Sequence, residues 1–183
     1  MMLQISDFIS DDYLELNRHL HAQPRKYGQS GRKHVNEVLA VVNLLGIGEI
    51  LDYGCGQGTF KEAMDQQMWP GAILEYDPAV PGKDELPPSV PLVVCTDVLE
   101  HVEPDKLDAV LDHLHSLSEQ LTFLAISTVP SSKSLRDGRN AHLIVKRPSW
   151  WAEQLRGHGF RIQSQCIRYG EEGPADVHFW LRK

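Results

Sequence analysis

Two kinds of hydrophobic pattern alternate along the chain. Continuous apolar runs, typical of strands buried on both faces, occupy 92–97 and 121–128, and shorter strand-like runs occupy 49–53 and 72–77. Around them, apolar positions recur every three or four residues, as in a helix with one buried face. These helical stretches are 5–21, 32–45, 59–68, 104–120 and 149–157. The alternation predicts an α/β fold with a doubly wound, mostly parallel sheet.

The end of the chain departs from this alternation. Two further strands, at about 160–168 and 176–182, are joined by a short Gly/Pro-containing loop without a helix. Such a loop predicts an antiparallel pair at one edge of the sheet. The sequence shows no repeat and no linker, so we expect a single domain over residues 1–183, with N-terminal helices or a lid in 1–46 and the core in 47–183.

Three closely spaced glycines follow the first strand. Gly54, Gly56 and Gly58 form the pattern D-x-G-x-G-x-G with Asp52. In a parallel sheet this loop lies where ligands bind, and glycines let backbone N–H groups approach a ligand. The pattern has neither the G-x-G-x-x-G spacing of dinucleotide-binding proteins nor the Gly-Lys-Ser/Thr of a P-loop. Asp77, at the end of the second strand, is placed to accept hydrogen bonds from two ribose hydroxyls.

The stretches ILDYGCGQG (50–58), LEYDP (74–78) and VVCTDVLEHV (93–102) resemble the cofactor motifs of class I S-adenosylmethionine-dependent methyltransferases. The resemblance extends from about residue 25 to the end of the chain. It implies S-adenosylmethionine as cofactor and a Rossmann-like sheet of six or seven strands with an antiparallel final strand. The cofactor-binding residues that it implies are Asp52, Gly54, Cys55, Gly56, Asp77, Asp97 and Val98. Tyr27, in a glycine-flanked segment, is a candidate for a lid over the same cofactor.

One interval is shorter than in that family. Residues 78–96 are rich in proline, where the family usually fits a helix, a third strand and an acidic contact to adenine. We therefore expect the third strand to be missing or vestigial, and no adenine-binding side chain is assigned.

A second group of residues is a candidate for the chemistry. Asp97, Glu100 and His101 have the i, i+3, i+4 spacing of one helical face, and His142 lies in the 129–147 loop, which we expect at the same end of the sheet. Glu100, His101 and His142 are therefore candidate catalytic residues, with His101 as a general base. An acid-x-x-Glu-His turn with a later histidine is also similar to the metal site of small-RNA 2′-O-methyltransferases. By that resemblance Asp97, Glu100, His101 and His142 would hold a divalent ion.

Charge narrows the choice of partner. The net charge of −7 argues against non-specific nucleic-acid binding. Two basic segments, 18–34 and 131–147, flank an acidic middle, which predicts basic edges around a site for an anionic substrate. We therefore expect methyl transfer to an oxygen or nitrogen of a small or anionic acceptor, such as a sugar, a nucleotide or an RNA end.

Other features of the chain leave several points open. No apolar run has the length of about 20 residues that a membrane span requires, and the N-terminus lacks a secretory pattern. Three cysteines without a CxxC pair are typical of a reducing compartment, so we expect a cytoplasmic protein.

Two alternative functions remain: a protein that binds S-adenosylmethionine without transferring its methyl group, and a nicotinamide-dependent enzyme, which the glycine spacing disfavours. The sequence does not fix the oligomeric state.

Overall fold

A six-stranded sheet forms the centre of the computed structural model, which describes residues 3–22 and 28–183. Its strands, in chain order, are β1 (Glu49–Tyr53), β2 (Ala72–Tyr76), β3 (Val90–Thr96), β4 (Ser118–Ser127), β5 (Arg161–Gly170) and β6 (Gly173–Arg182). The described helices are α1 (Asp11–His21), α2 (Val35–Leu45), α3 (Thr59–Gln66), α4 (Leu107–Leu117) and α5 (Pro148–Gly157). Short 3₁₀ turns occupy Ile5–Asp7, Gly31–His34 and Leu99–His101.

The order of the strands is β2-β1-β3-β4-β6-β5. Strands β2, β1, β3 and β4 are parallel, β6 is antiparallel to β4, and β5 and β6 form an antiparallel hairpin. This confirms the predicted mostly parallel sheet with an antiparallel final strand. Residues 77–89 contain turns and loop but no strand, so β2 is an edge strand.

Two predicted helices differ from the structure in their extent. The pattern over 5–21 is divided, because Ser10 caps α1 by accepting a hydrogen bond from the Tyr13 N–H. Residues 118–120, predicted as the end of a helix, begin β4 instead, where Ser118 pairs with Val90.

The core lies on both faces of the sheet. On one face, Leu51 and Val93 pack with buried residues of α4 and α5, including Leu111 and Trp151. On the other face, the adjacent strand residues Ile50 and Leu92 pack with residues of α2 and α3. Neighbouring strand positions thus enter opposite layers, which explains the continuous apolar runs.

The N-terminal helix belongs to a third, smaller cluster. Ile9, Tyr13 and Leu20 pack against Leu135 of the 129–147 loop. This contact holds α1 across one end of the sheet. No helix within residues 3–22 and 28–183 is long and apolar enough to cross a membrane.

Candidate active site

A cavity of about 500 Å³ opens at the carboxyl ends of the parallel strands. Its wall includes residues that directly follow β1, β2 and β3, and it extends under α1 to the 129–147 loop. The predicted site residues that line it are Gly54, Cys55, Asp77, Asp97, Val98, His101 and His142. Asp52, Gly56 and Glu100 lie behind this wall, and Tyr27 lies outside the described residues.

The glycine loop is bound tightly to the end of β2. The N–H groups of Gly54 and Cys55 both donate to the Tyr76 carbonyl, at 2.7 and 3.1 Å. Gly54 has φ +77°, and a Cβ built there would lie 2.4 Å from Val98 Cγ2. A side chain at this position would therefore strain the backbone and also collide with the opposite wall of the cavity.

Asp77 connects the loop to the second strand. Its Oδ2 accepts from the Gly56 N–H at 3.0 Å, and its Oδ1 accepts from the Ala79 N–H at 2.9 Å. His21 Nε2 lies 3.8 Å from Oδ2. Because an ionised carboxylate has about four lone-pair positions, Asp77 retains capacity for ligand hydroxyls while holding both amides. Gly56 thus acts through Asp77 and not on the cavity directly.

Asp52 lies beneath the loop in the interior of the sheet. Its Oδ2 is buried without a hydrogen-bond partner among the described residues. Burial, reinforced by the neighbouring Glu75, raises the pKa of its carboxyl to about 8. Asp52 is therefore largely protonated at neutral pH in this structure and does not contact the cavity that Gly54 lines.

Asp97 stands at the end of β3 in a left-handed backbone conformation. Its φ is +54°, and its N–H donates to the Ala125 carbonyl at 2.8 Å. Burial opposes ionisation of the carboxyl, but the adjacent His34 and Ser30 outweigh it and lower the pKa. A carboxylate that is held ionised at the cavity wall, on a strained residue, is typical of a functional position.

Glu100 and His101 form a 3₁₀ turn and not the helical face that the spacing predicted. Glu100 is fully buried: its Oε1 accepts from the Ser127 N–H at 3.1 Å, and its Oε2 has no hydrogen-bond partner among the described residues. Burial and the nearby Asp97 raise the pKa of Glu100 to about 8. Burial and the nearby His142 lower the pKa of His101 to about 4. At neutral pH this turn therefore holds a mostly protonated acid beside a neutral imidazole.

The two histidines meet across the cavity. His101 Nδ1 donates to the Ala141 carbonyl at 2.7 Å, and His142 Nδ1 donates to the Val129 carbonyl at 2.6 Å. Since a carbonyl only accepts, Nδ1 of each ring carries a proton, and the neutral His101 ring has its lone pair on Nε2. The rings stand edge to face with centroids 4.7 Å apart.

Three of the four predicted metal ligands converge. Glu100, His101 and His142 each offer one ligand atom, and these atoms lie within 4.8 Å of one another. Asp97 is not part of this group; its Oδ2 lies 3.7 Å from His34 Nε2 instead. In this conformation the Asp97 carboxylate faces His34 and is outside the set of atoms within 4.8 Å, so its place in a four-residue metal site stays a prediction.

Several residues around the site escaped the sequence analysis. The Tyr13 hydroxyl donates to the His101 carbonyl at 2.6 Å, and Glu103 accepts from both the N–H and the hydroxyl of Ser10. These contacts join positions 88 to 93 residues apart, so no local pattern signals them. Of the described lysines and arginines in the two basic segments, Lys33 and Lys133 line the cavity.

Comparisons with known proteins agree on one family. A family model described as a methyltransferase domain matches residues 15–168. Among solved structures, the chain is similar to the 1,6-didemethyltoxoflavin-N1-methyltransferase of Burkholderia thailandensis with bound 1,6-didemethyltoxoflavin and S-adenosylhomocysteine. The TM-score is 0.67 at 16% identity, over 100% of this chain and 92% of that one.

Two further structures give the same picture. The magnesium protoporphyrin IX methyltransferase of Synechocystis PCC 6803 with bound S-adenosylhomocysteine has a TM-score of 0.57 at 15% identity, over 98% of both chains. The mitomycin 7-O-methyltransferase has a TM-score of 0.59 at 16% identity, over 90% of this chain and 60% of that one. A search of curated proteins finds no significant match. At these identities the solved structures establish a shared fold.

Proposed function

Because the chain belongs to the S-adenosylmethionine-dependent methyltransferases, we propose that it transfers a methyl group to a nitrogen or oxygen of a small or anionic acceptor. The observation that supports this most directly is that both groups of candidate residues line the same cavity. One part of its wall contains Gly54 and Asp77, and another contains His101 and His142. A cofactor and an acceptor can therefore occupy one cavity with their reacting atoms adjacent, which is the main requirement for methyl transfer.

We assign the cofactor to the part of the cavity near the glycine loop. The Asp77 carboxylate accepts from the ribose hydroxyls while it holds the Gly56 and Ala79 amides. Gly54 and Cys55 face the methionine part, and Asp97 and Val98 form the back wall. Gly56 and Asp52 support the loop from behind without touching the cofactor.

We assign the acceptor to the part of the cavity near the two histidines. The sulfonium methyl group is already activated, so the protein must position the nucleophile and, for a hydroxyl, accept its proton. The Nε2 lone pairs of His101 and His142 are the candidate bases. His101 is neutral at pH 7, but its pKa of about 4 makes it a weak base, which favours His142 for the proton transfer.

Two observations support a small or anionic acceptor. Lys33 and Lys133 line the cavity and are suited to a negatively charged group. The segment 3–22 packs against the 129–147 loop through Tyr13 and Leu135, and we propose that it acts as a lid. Two of the similar structures are an N1-methyltransferase of 1,6-didemethyltoxoflavin and a 7-O-methyltransferase of mitomycin.

The test is methyl transfer from S-adenosylmethionine labelled in its methyl group to a panel of small hydroxyl and amine acceptors and to a fractionated cell extract. With the acceptor so identified, we expect His142→Ala to reduce kcat by about 10²- to 10⁴-fold, the usual contribution of a general base. His158→Asn, which alters a surface histidine paired with Asp108 and Asp112, is the matched control and should keep the wild-type rate. Labelling of no acceptor by a protein that binds S-adenosylhomocysteine would instead favour a binding protein without transferase activity.

A metal-assisted O-methyltransferase is the second candidate, favoured by the convergence of Glu100, His101 and His142. The residues fit a divalent ion: Glu100 Oε2 is buried without a partner, and both histidines donate Nδ1–H to carbonyls as metal-bound histidines do. A bound ion would supply Lewis acidity that lowers the pKa of an acceptor hydroxyl. Under this function, dialysis against a chelator abolishes transfer, and Mg²⁺, Mn²⁺ or Zn²⁺ restores it in the wild type but not in Glu100→Gln. Full activity after chelation would exclude it.

A further inference from the structure

A second group of histidines and carboxylates lies where the start of α2 meets β6. It consists of His34, Glu37 and His178, with Asp176 beside them. We propose that His34, Glu37 and His178 bind a divalent transition metal, Zn²⁺ by the chemistry of its ligands, at a site separate from Glu100, His101 and His142. Imidazole nitrogen and carboxylate oxygen are ligands that Zn²⁺ accepts readily.

The geometry of the three side chains suits one ion. Each offers one ligand atom, and these atoms lie within 4.8 Å of one another. His178 Nδ1 and Glu37 Oε2 are 2.9 Å apart. Zinc bonds of about 2.0–2.2 Å in a tetrahedron place neighbouring ligand atoms roughly 3.4 Å apart, so small side-chain movements complete the site.

The two histidines are buried with incomplete hydrogen bonding: His178 Nδ1 faces Glu37 Oε2, but three other ring nitrogens have no hydrogen bond among the described residues. His34 and His178 are 6% and 2% exposed. Both ring nitrogens of His34 and Nε2 of His178 are buried without a hydrogen-bond partner among the described residues. An imidazole ring nitrogen that is buried without a hydrogen-bond partner destabilises the fold, because it has lost its contact with water and gained none in return. A metal bond satisfies an acceptor nitrogen directly.

The surrounding groups are those that orient metal ligands. His178 Nε2 lies 3.2 Å from Asp176 Oδ1, and His34 Nε2 lies 3.7 Å from Asp97 Oδ2. With Nε2–H facing a carboxylate, as in carboxylate–histidine–metal triads, Nδ1 of each ring would bind the ion. The Trp180 Nε1–H donates to Glu37 Oε1 at 3.3 Å, while Glu37 Oε2 contacts His178 Nδ1 and Arg168, and the ion would replace these two contacts.

Arg168 is the competing cation. Its guanidinium lies 3.4 Å from Glu37 Oε2 and 4.0 Å from Asp176 Oδ1, but its side chain is half-exposed. These contacts are long for a paired guanidinium, and the side chain has solvent into which to move. We infer that Arg168 neutralises the carboxylates when the ion is absent and is displaced when the ion binds.

The proposed Zn²⁺ site is coupled to the cofactor cavity through one contact. His34 contacts Asp97, which lines the cofactor part of the wall. An ion that fixes the orientation of His34 fixes the partner of Asp97 as well. Zn²⁺ bound here is therefore expected to tighten S-adenosylhomocysteine binding, and the cofactor to tighten Zn²⁺ binding by the same factor.

The experiment measures Zn²⁺ binding to the full chain after chelator dialysis, by calorimetry and by the visible absorption of Co²⁺ as a substitute. His142→Ala is the starting protein, because it removes the other histidine–carboxylate group. We expect it to bind one Zn²⁺, and Glu37→Gln or His34→Gln added to it to weaken binding at least 10-fold. Glu62→Gln, which removes a carboxylate from α3 outside the group, is the matched control and should bind as the starting protein does.

Three outcomes would overturn the proposal. The first is that the His142→Ala protein binds no Zn²⁺, and the second is that the Glu37→Gln and His34→Gln variants bind like Glu62→Gln. The third is that only His158→Asn loses the ion, which would place it at the pair of carboxylates Asp108 and Asp112. Glu37→Gln keeps the size of the side chain and leaves both buried imidazoles in place, although it changes the group that faces His178 Nδ1. Circular dichroism of each variant verifies that it is folded.

Discussion

Replacement of Asp77 by asparagine tests the assignment of the ribose-binding carboxylate. The substitution keeps the shape of the side chain but exchanges one acceptor oxygen for a donor NH₂ group. In the structure both carboxylate oxygens are engaged, by the Gly56 and Ala79 N–H groups. Asparagine can satisfy one of these amides but sets two donors against each other at the other amide.

The expected magnitude follows from the hydrogen bonds lost. A hydrogen bond to a charged group contributes about 1.5–3 kcal/mol, so losing one to a ribose hydroxyl should weaken S-adenosylhomocysteine binding about 10- to 150-fold. The unmatched amide should cost about 1–3 kcal/mol of folding stability, and each kcal/mol lowers Tm by about 2–4 °C in a chain of this size.

Calorimetric titration with S-adenosylhomocysteine and a thermal melt measure the two effects separately. Asp84→Asn is the matched control: it removes the same charge from the same loop, where Asp84 Oδ1 accepts from the Gly82 N–H, and Asp84 does not line the cavity. The control should bind within about twofold of the wild type. A normal affinity in Asp77→Asn would refute the assignment, whatever the change in Tm.

Three further predictions rest on other contacts. Gly54→Ala should abolish S-adenosylhomocysteine binding in calorimetry, since its Cβ would lie 2.4 Å from Val98. Gly82 has a similar φ of +84° but open space around it, so Gly82→Ala should bind normally. It should lose only the roughly 1–2 kcal/mol of folding stability that a left-handed alanine costs. Burial lowers the pKa of His113, which stacks on Phe8, to about 4. Because this folded-state pKa lies below the unfolded value of 6.5, the unfolded chain binds the proton first as the pH falls. The contribution of His113 to stability is therefore complete above pH 6.5 and is lost as the pH falls toward 4. Urea titrations of His113→Asn should therefore show a slope of unfolding free energy against pH in that window reduced by up to about 1.4 kcal/mol per pH unit, and an unchanged slope would contradict this. Glu103→Ala removes the two hydrogen bonds that hold Ser10. It should raise the KM for the acceptor and the rate of proteolysis within 3–22, while the affinity for S-adenosylhomocysteine stays the same. A loss of cofactor affinity instead would argue against a lid over the acceptor.

The fold was predictable because its signals are local. Buried strands are recognisable as apolar runs, and the D-x-G-x-G-x-G loop identifies the strand end where a ligand binds. The absence of the extra strand that the family has between Asp77 and Asp97 was also predictable, since that proline-rich segment is short. Each of these features resides within about twenty consecutive residues.

The arrangement of the site was harder to predict from the sequence. The Leu99–His101 turn is 3₁₀ and not α-helical, and Asp97 has a positive φ, so the expected i, i+3, i+4 face does not form. The contact of His34 with Asp97 and that of Ser10 with Glu103 join distant parts of the chain. Only the folded chain brings such residues together, and the buried histidines His34 and His178 showed no motif in the sequence.

The central claim is that one cavity holds the cofactor with its ribose on Asp77 and its reactive sulfur toward His101 and His142. A crystal structure of the chain grown with S-adenosylhomocysteine tests it directly. The account predicts the nucleoside inside the cavity, with both ribose hydroxyls within hydrogen-bond distance of the Asp77 carboxylate and the thioether sulfur facing the two imidazoles. A nucleoside bound elsewhere, or a ribose that does not touch Asp77, would contradict it.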